Sequence, residues 1–200
     1  TEPEAVLRRL NLESGEVDTL YRAADNTHLP STFGITISTL AISEDNRTLA
    51  IGVGAGTIVF DLPSRTVRFA IKNASGAPTR IVFSPDGKIL ATARETIELW
   101  DSESGTRRAV IPTGMVVGLA FSADQKLLAS AGDGVIDRPG RIDIWQVKDA
   151  KLLVSFTCHT DALLGVSFLR DTRSVLSGSV DGTVCRWDLT RLPEFLQSSR

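Results

Sequence analysis

The chain has 200 residues, with 22 Lys and Arg against 24 Asp and Glu and a formal charge of −2. That balance supplies no net positive field to draw nucleic acid or an anionic membrane, and no apolar run reaches the roughly 18 residues that a spanning helix needs. Hydrophobic residues at 42% and charged residues at 23% make a globular composition, while two cysteines, Cys158 and Cys185, are too few for a disulfide scaffold and lack zinc-site spacing.

Sixteen glycines and eight prolines, spread along the chain, predict many short elements. The first are a strand pair: Val6-Leu7-Arg8-Arg9-Leu10, a Glu13-Ser14-Gly15-Glu16 turn, and Val17-Asp18-Thr19-Leu20-Tyr21. An apolar triplet followed by a polar turn then recurs. It reads Leu40-Ala41-Ile42-Ser43-Glu44-Asp45, Ile81-Val82-Phe83-Ser84-Pro85-Asp86, Leu119-Ala120-Phe121-Ser122-Ala123-Asp124 and, more weakly, Val166-Ser167-Phe168-Leu169-Arg170-Asp171. A small-residue strand follows each, beginning Leu49-Ala50, Leu90-Ala91, Leu128-Ala129 and Leu176-Ser177. An aromatic anchor closes the run as Phe60-Asp61, Trp100-Asp101, Trp145-Gln146 and Trp187-Asp188. Both anchors keep a period of about 40 residues, the mark of a repeat architecture.

Each unit breaks into strands of four to seven residues bounded by Asp-Gly, Ser-Gly or Pro-Asp-Gly turns. Thr96-Ile97-Glu98-Leu99-Trp100 alternates with period two, and nowhere in the units is a 3.6-residue apolar period sustained. Four antiparallel strands per unit, repeated radially, predict an all-β propeller.

These residues resemble the WD40-repeat family. The last unit, with Cys158-His159 near its start and Ser177-Gly178-Ser179-Val180-Asp181-Gly182-Thr183-Val184-Cys185-Arg186-Trp187-Asp188, is the best match. Departures are Phe60 for Trp, Gln146 for Asp, and an insertion at 135–140. The resemblance implies a partial propeller of about four blades plus two leading strands, part of a seven-bladed ring. The expected divisions are 1–27 for the last strands of a preceding blade, 28–71, 72–111 and 112–157 for three blades, 158–190 for an incomplete fourth, and 191–200 for a tail. The chain is therefore expected to be a segment of a larger protein.

In that family a histidine at the position of His159 joins a buried network. The members implied here are His159, Ser177 or Ser179, Asp181 and Trp187. A nucleophile–base reading of Cys158 with His159 is disfavoured, because neighbours on an extended strand point to opposite faces. Unit three keeps Asp133 and Trp145, unit two only Trp100, and His28 precedes a unit whose aromatic, Phe60, has no indole N–H. Gly52-Val53-Gly54-Ala55-Gly56 reads as a hairpin turn, since a strand and not a helix follows it. The turn aspartates recur with the repeat and make no metal site, and Cys185 reads as a packed strand residue.

Arg80, Arg94, Met115 and Arg138 fall near loops that the family places on one face, and form a candidate partner-docking surface. The expected function is a non-catalytic scaffold for a protein or peptide, with no cofactor, metal or nucleic acid. Two rivals remain: a regulatory propeller of a multidomain enzyme or signalling protein, and a subunit that closes its ring by self-association through open edges. Unpaired cysteines lean towards a cytoplasmic location.

Overall fold

A computed structural model describes residues 6–22, 36–54, 56–132 and 139–190. Among them are seventeen strands and no helix. The strands β1 (Val6–Leu10) and β2 (Val17–Arg22) form a hairpin. A first four-stranded sheet follows from β3 (Ile37–Ile42), β4 (Thr48–Val53), β5 (Gly56–Asp61) and β6 (Thr66–Lys72). The second comprises β7 (Arg80–Phe83), β8 (Ile89–Ala93), β9 (Thr96–Asp101) and β10 (Arg107–Pro112). The third comprises β11 (Val116–Phe121), β12 (Leu127–Gly132), β13 (Arg141–Gln146) and β14 (Lys151–Phe156). In the last sheet β15 (Leu163–Phe168), β16 (Ser174–Ser179) and β17 (Val184–Asp188) make three strands.

Every sheet is an antiparallel meander in chain order. The first strands β3, β7, β11 and β15 lie side by side, so the sheets radiate as propeller blades. Sheet packs on sheet. Ala91, Ile97 and Leu99 of the second meet Val116, Leu119 and Leu128 of the third in one cluster, and Ala129, Ile142 and Ile144 of the third meet Leu163 and Val175 of the fourth.

This sandwiching corrects the alternating reading of residues 96–100. β9 is buried along Ile97, Glu98, Leu99 and Trp100, because a middle strand has a neighbouring sheet on each face. β4, β5 and β12 are buried in the same way, whereas the outer strand β6 alternates. Small residues such as Ala50, Ala91 and Ala129, all fully buried, let the sheets approach.

The repeated turns share one hydrogen-bonding scheme. Ser43 donates its hydroxyl to Asp45 at 2.6 Å, Ser84 to Asp86 at 2.7 Å and Ser122 to Asp124 at 2.6 Å. The next residue of each turn, Asn46, Gly87, Gln125 or Thr172, has positive φ between 55° and 72°. The third-to-fourth-strand turns likewise turn through positive φ at Arg65, Gly105 and Ala150, each followed by a register shift in the strand pair. The β1–β2 hairpin has both features, with Gly15 at φ 72° and a shift between Leu7 and Arg8.

Candidate functional site

The densest polar cluster of the described residues lies in the last sheet. His159 stands in the lead-in to β15, and its side chain is wholly buried. Its Nε2 lies 2.8 Å from the Ser177 hydroxyl on β16, and its Nδ1 is 3.1 Å from Asp181 and 3.0 Å from Thr183 in the β16–β17 turn. The Trp187 indole on β17 donates to Ser177 at 2.9 Å. An ionised carboxylate can only accept, so Nδ1 carries the proton to Asp181 and Nε2 accepts from Ser177. Asp181 is held well below the ordinary carboxylate range, first by the Thr183 hydroxyl, with the N–H groups of Thr160 and Thr183 and the imidazole adding to it against desolvation.

Of the residues singled out in the sequence, Ser179 stands outside this chain of bonds. Its hydroxyl donates to the Ala162 and Asp161 carbonyls at 2.8 and 3.2 Å and accepts from the Asp181 N–H. Thr183, not singled out, takes part; its position two residues after Asp181, on the face shared with Cys185 and Trp187, was the available signal.

Cys158 also departs from the expectation of separation. Residues 157–159 are not in a strand, so the opposite-face argument does not apply to them, and ligand atoms of Cys158, His159 and Cys185 lie within 4.8 Å of one another. Cys158 is exposed as a residue, yet its thiol is pushed up to about 11, first by desolvation and then by its hydrogen bond to Cys185 and nearby charge.

The other sheets vary the same theme. In the second, Trp100 donates to Thr92 at 3.1 Å, and Asn73 donates to the same hydroxyl at 2.7 Å while accepting from Thr57 at 2.9 Å. Asn73 thereby occupies the role of His159 and ties the first sheet to the second. It stands 19 positions ahead of Thr92 where His159 stands 18 ahead of Ser177, a near-equivalence masked by the change of residue type. In the third sheet Trp145 donates to Ser130 at 2.9 Å; Asp133 and, ahead of the first sheet, His28 lie outside the described residues.

The family model described as "WD domain, G-beta repeat" matches residues 108–136 and 150–188. Those two segments are WD40 repeats, and the chain is similar to WD40-repeat proteins. Among WD40 relatives it is 28% identical over 160 residues to COMPASS component SWD3 of Saccharomyces cerevisiae, covering 78% of this chain and 49% of that one. It is 32% identical over 114 residues to human U3 small nucleolar RNA-interacting protein 2, covering 50% and 23%. The solved structure titled "Structure of U3-55K" superposes with a TM-score of 0.68 at 22% identity, over 78% of this chain and 50% of that one, which shows the fold. The chain thus spans about half the length, or less, of the relatives it matches.

Two further surfaces of this WD40 segment carry polar groups. At one end, Arg94 in the β8–β9 turn donates to the Ala77 carbonyl at 3.1 Å, and its own carbonyl accepts from Val116 at 2.6 Å, which brings it beside Met115. Arg80 is exposed at the start of β7, and Met115 is 41% exposed. The structure thus gathers Arg80, Arg94 and Met115 at one end of the second and third blades, while Arg138 lies outside the described residues. At the other end a cleft of about 390 Å³ between the first two blades is lined by Asp45, Arg47, Asp61, Arg68, Asp101 and Arg108. Its charges answer one another: Arg68 bonds Asp61 at 2.6 Å and Arg108 bonds Asp101 at 2.5 Å. Asp61 is lowered to about 2, first by the Ser64 hydroxyl and N–H and then by Arg68.

Proposed function

We propose that this chain is part of a non-catalytic scaffold that presents one propeller end to a protein or peptide. The observation that carries this reading is the convergence of Arg80, Arg94 and Met115 on one end of adjacent blades. Arg and Met are residue types enriched where protein partners dock, and Arg94 has a buried Nε without a hydrogen-bond partner. The buried polar networks join strands and blades, and the exposed end supports the recognition reading. The relative SWD3 is by name a component of COMPASS, which suits membership of a protein assembly. Another relative is by name RNA-interacting, while the charge of −2 supplies no net positive field for phosphates.

The test is quantitative affinity purification with R80A/R94A/M115A beside wild type, and with R108A from the opposite cleft as control. The triple variant is expected to lose a discrete set of co-purifying proteins that R108A retains, with unchanged melting. Equal recovery by both, or loss only on RNase treatment, would refute a protein-docking end.

A second observation favours completion of the ring by further blades. Among the described residues β17 pairs with β16 alone, and Ile37, Leu40 and Ile42 of β3 are half or more exposed at the other end of the array. The shared turn and register shift support reading β1–β2 as the third and fourth strands of another blade. The divisions 28–71, 72–111, 112–157 and 158–190 then stand as blades of a seven-bladed ring. Closure by a second copy is the rival, and light-scattering mass separates them: a monomer supports completion within one polypeptide, a dimer the rival. Thiols at Cys158 and Cys185 suit a reducing compartment such as the cytoplasm. No helix of the described residues is long and apolar enough to cross a membrane.

A further inference from the structure

Cys158, His159 and Cys185 come from two separate segments, the lead-in to β15 and the start of β17. Each offers one ligand atom, and the three atoms lie within 4.8 Å of one another. We propose that this cluster is a metal site for a thiophilic d10 cation, Zn2+ in the first instance, held by two thiolates and one imidazole.

The donor set makes the selection. Two sulfurs and a ring nitrogen suit zinc, whereas magnesium and calcium require oxygen. Bonds of about 2.3 Å to sulfur and 2.0 Å to nitrogen place tetrahedral donors about 3.5–3.8 Å apart. The cluster therefore needs to close by no more than about 1.3 Å. Cys158 can supply that movement, since it is exposed and belongs to no strand. Cys185 is fixed opposite Ser177 in the β16–β17 ladder.

His159 has hydrogen-bond partners at both ring nitrogens. A cation takes one nitrogen in place of one of those bonds, and the partner on the other remains to orient the ring, as outer-shell groups do for ligating imidazoles. Binding converts two thiols to thiolates and releases two protons to solvent. Three protein ligands leave a fourth position for water or a partner's side chain, on the side where Cys158 meets solvent. The bound ion would fasten the lead-in of the last blade to β17, its outermost strand.

The test begins with the reduced protein, stripped by a chelator and titrated first with Co2+ and then with Zn2+. One Co2+ per chain is expected, with thiolate-to-cobalt charge-transfer absorption that Zn2+ abolishes. In competition with a chromophoric chelator, C158S and C185S should each weaken Zn2+ binding by more than about tenfold. C158S should melt like wild type in chelator and lose the upward shift that Zn2+ gives wild type, so a failure of folding is distinguishable from a missing ligand. Absence of the charge-transfer band, or unchanged Zn2+ affinity in C158S, would overturn the proposal. So would a reduced protein that ignores metal but loses two hydrogens on treatment with glutathione disulfide, which would make the pair a dithiol redox couple.

Discussion

Ser177→Ala tests whether the buried bonds of the last blade act as one network. Ser177 is 2% exposed; its hydroxyl bonds His159 Nε2 at 2.8 Å and accepts from Trp187 at 2.9 Å. Removing it orphans a ring nitrogen on a wholly buried side chain and an indole N–H on a half-buried one. An unsatisfied buried group costs about 1–3 kcal/mol, and water can reach the indole more easily than the imidazole, so the loss should be about 3 kcal/mol. Ser130→Ala is the internal comparison, because it orphans the Trp145 N–H alone and should cost about 1–2 kcal/mol. Ser167→Ala, at an exposed position on β15, should stay within about 0.5 kcal/mol of wild type. Urea unfolding followed by tryptophan fluorescence, with chelator present, gives all three values. A Ser177→Ala loss no larger than that of Ser130→Ala, at equal m-values, would refute the network.

Three other outcomes are expected. A Cβ at Gly118 on β11 would meet the Val166 N at 2.8 Å and the Gly165 Cα at 2.9 Å, both backbone of β15, so G118A should lose about 1–3 kcal/mol. A Cβ at Gly165 would meet nothing within 4 Å, so G165A should cost clearly less in the same thermal melt, and equal losses would refute close strand approach. Asn73→Ala removes both the Thr57 and Thr92 bonds of a side chain 5% exposed, so about 2 kcal/mol should be lost in urea unfolding; a neutral result would mean the amide does not join the first two blades. Hydrogen bonds from neighbouring hydroxyl, N–H and guanidinium groups hold Asp61, Asp101 and Asp181 below the ordinary carboxylate range in the folded state. Their contribution is therefore fully present above about pH 4 and is lost as pH falls through the lowered folded values. The urea midpoint should drop steeply below pH 4, and D181N should be weaker at pH 7 with a shallower acid limb; an identical limb would refute the role of Asp181.

Much of this fold could be read from the chain because the repeat is written in turn chemistry. Ser43-Glu44-Asp45, Ser84-Pro85-Asp86 and Ser122-Ala123-Asp124 each place a hydroxyl two residues before a carboxylate, and each makes the same bond. Local bonds of this kind depend on neighbours in sequence, which is why they are legible there. Glu98 was not legible as a buried residue. Its 1% exposure follows from a neighbouring blade on each face of β9, and its carboxylate accepts from Ala74 at 2.7 Å, 24 positions away. The same limit hid Asn73 and the approach of Cys185 to Cys158, for both depend on blade-to-blade or across-sheet geometry that no spacing rule encodes.

The distribution of polar groups across the blades follows from what covers each sheet. Middle strands of the first three blades are buried along nearly their whole length, and packing of apolar faces fixes their register without help. In the last blade β17 alternates between exposed and half-buried positions, and Val184 is 72% exposed. Among the described residues no sheet covers the outer side of this blade, and directional bonds cross it from strand to strand. His159, Ser177, Asp181, Thr183 and Trp187 supply those bonds, reaching from the lead-in across β16 to β17. Phe156 of the preceding blade adds a stacked contact with Trp187 at 4.7 Å between centroids. The second blade, closed on both sides, sets an amide and a threonine beside its tryptophan, and the third a serine, with a buried Asp143 that accepts from Arg141 and Ser155. The thiols beside His159 adjoin this network, so a cation on them would join the same lead-in and outer strand that the hydrogen bonds already join.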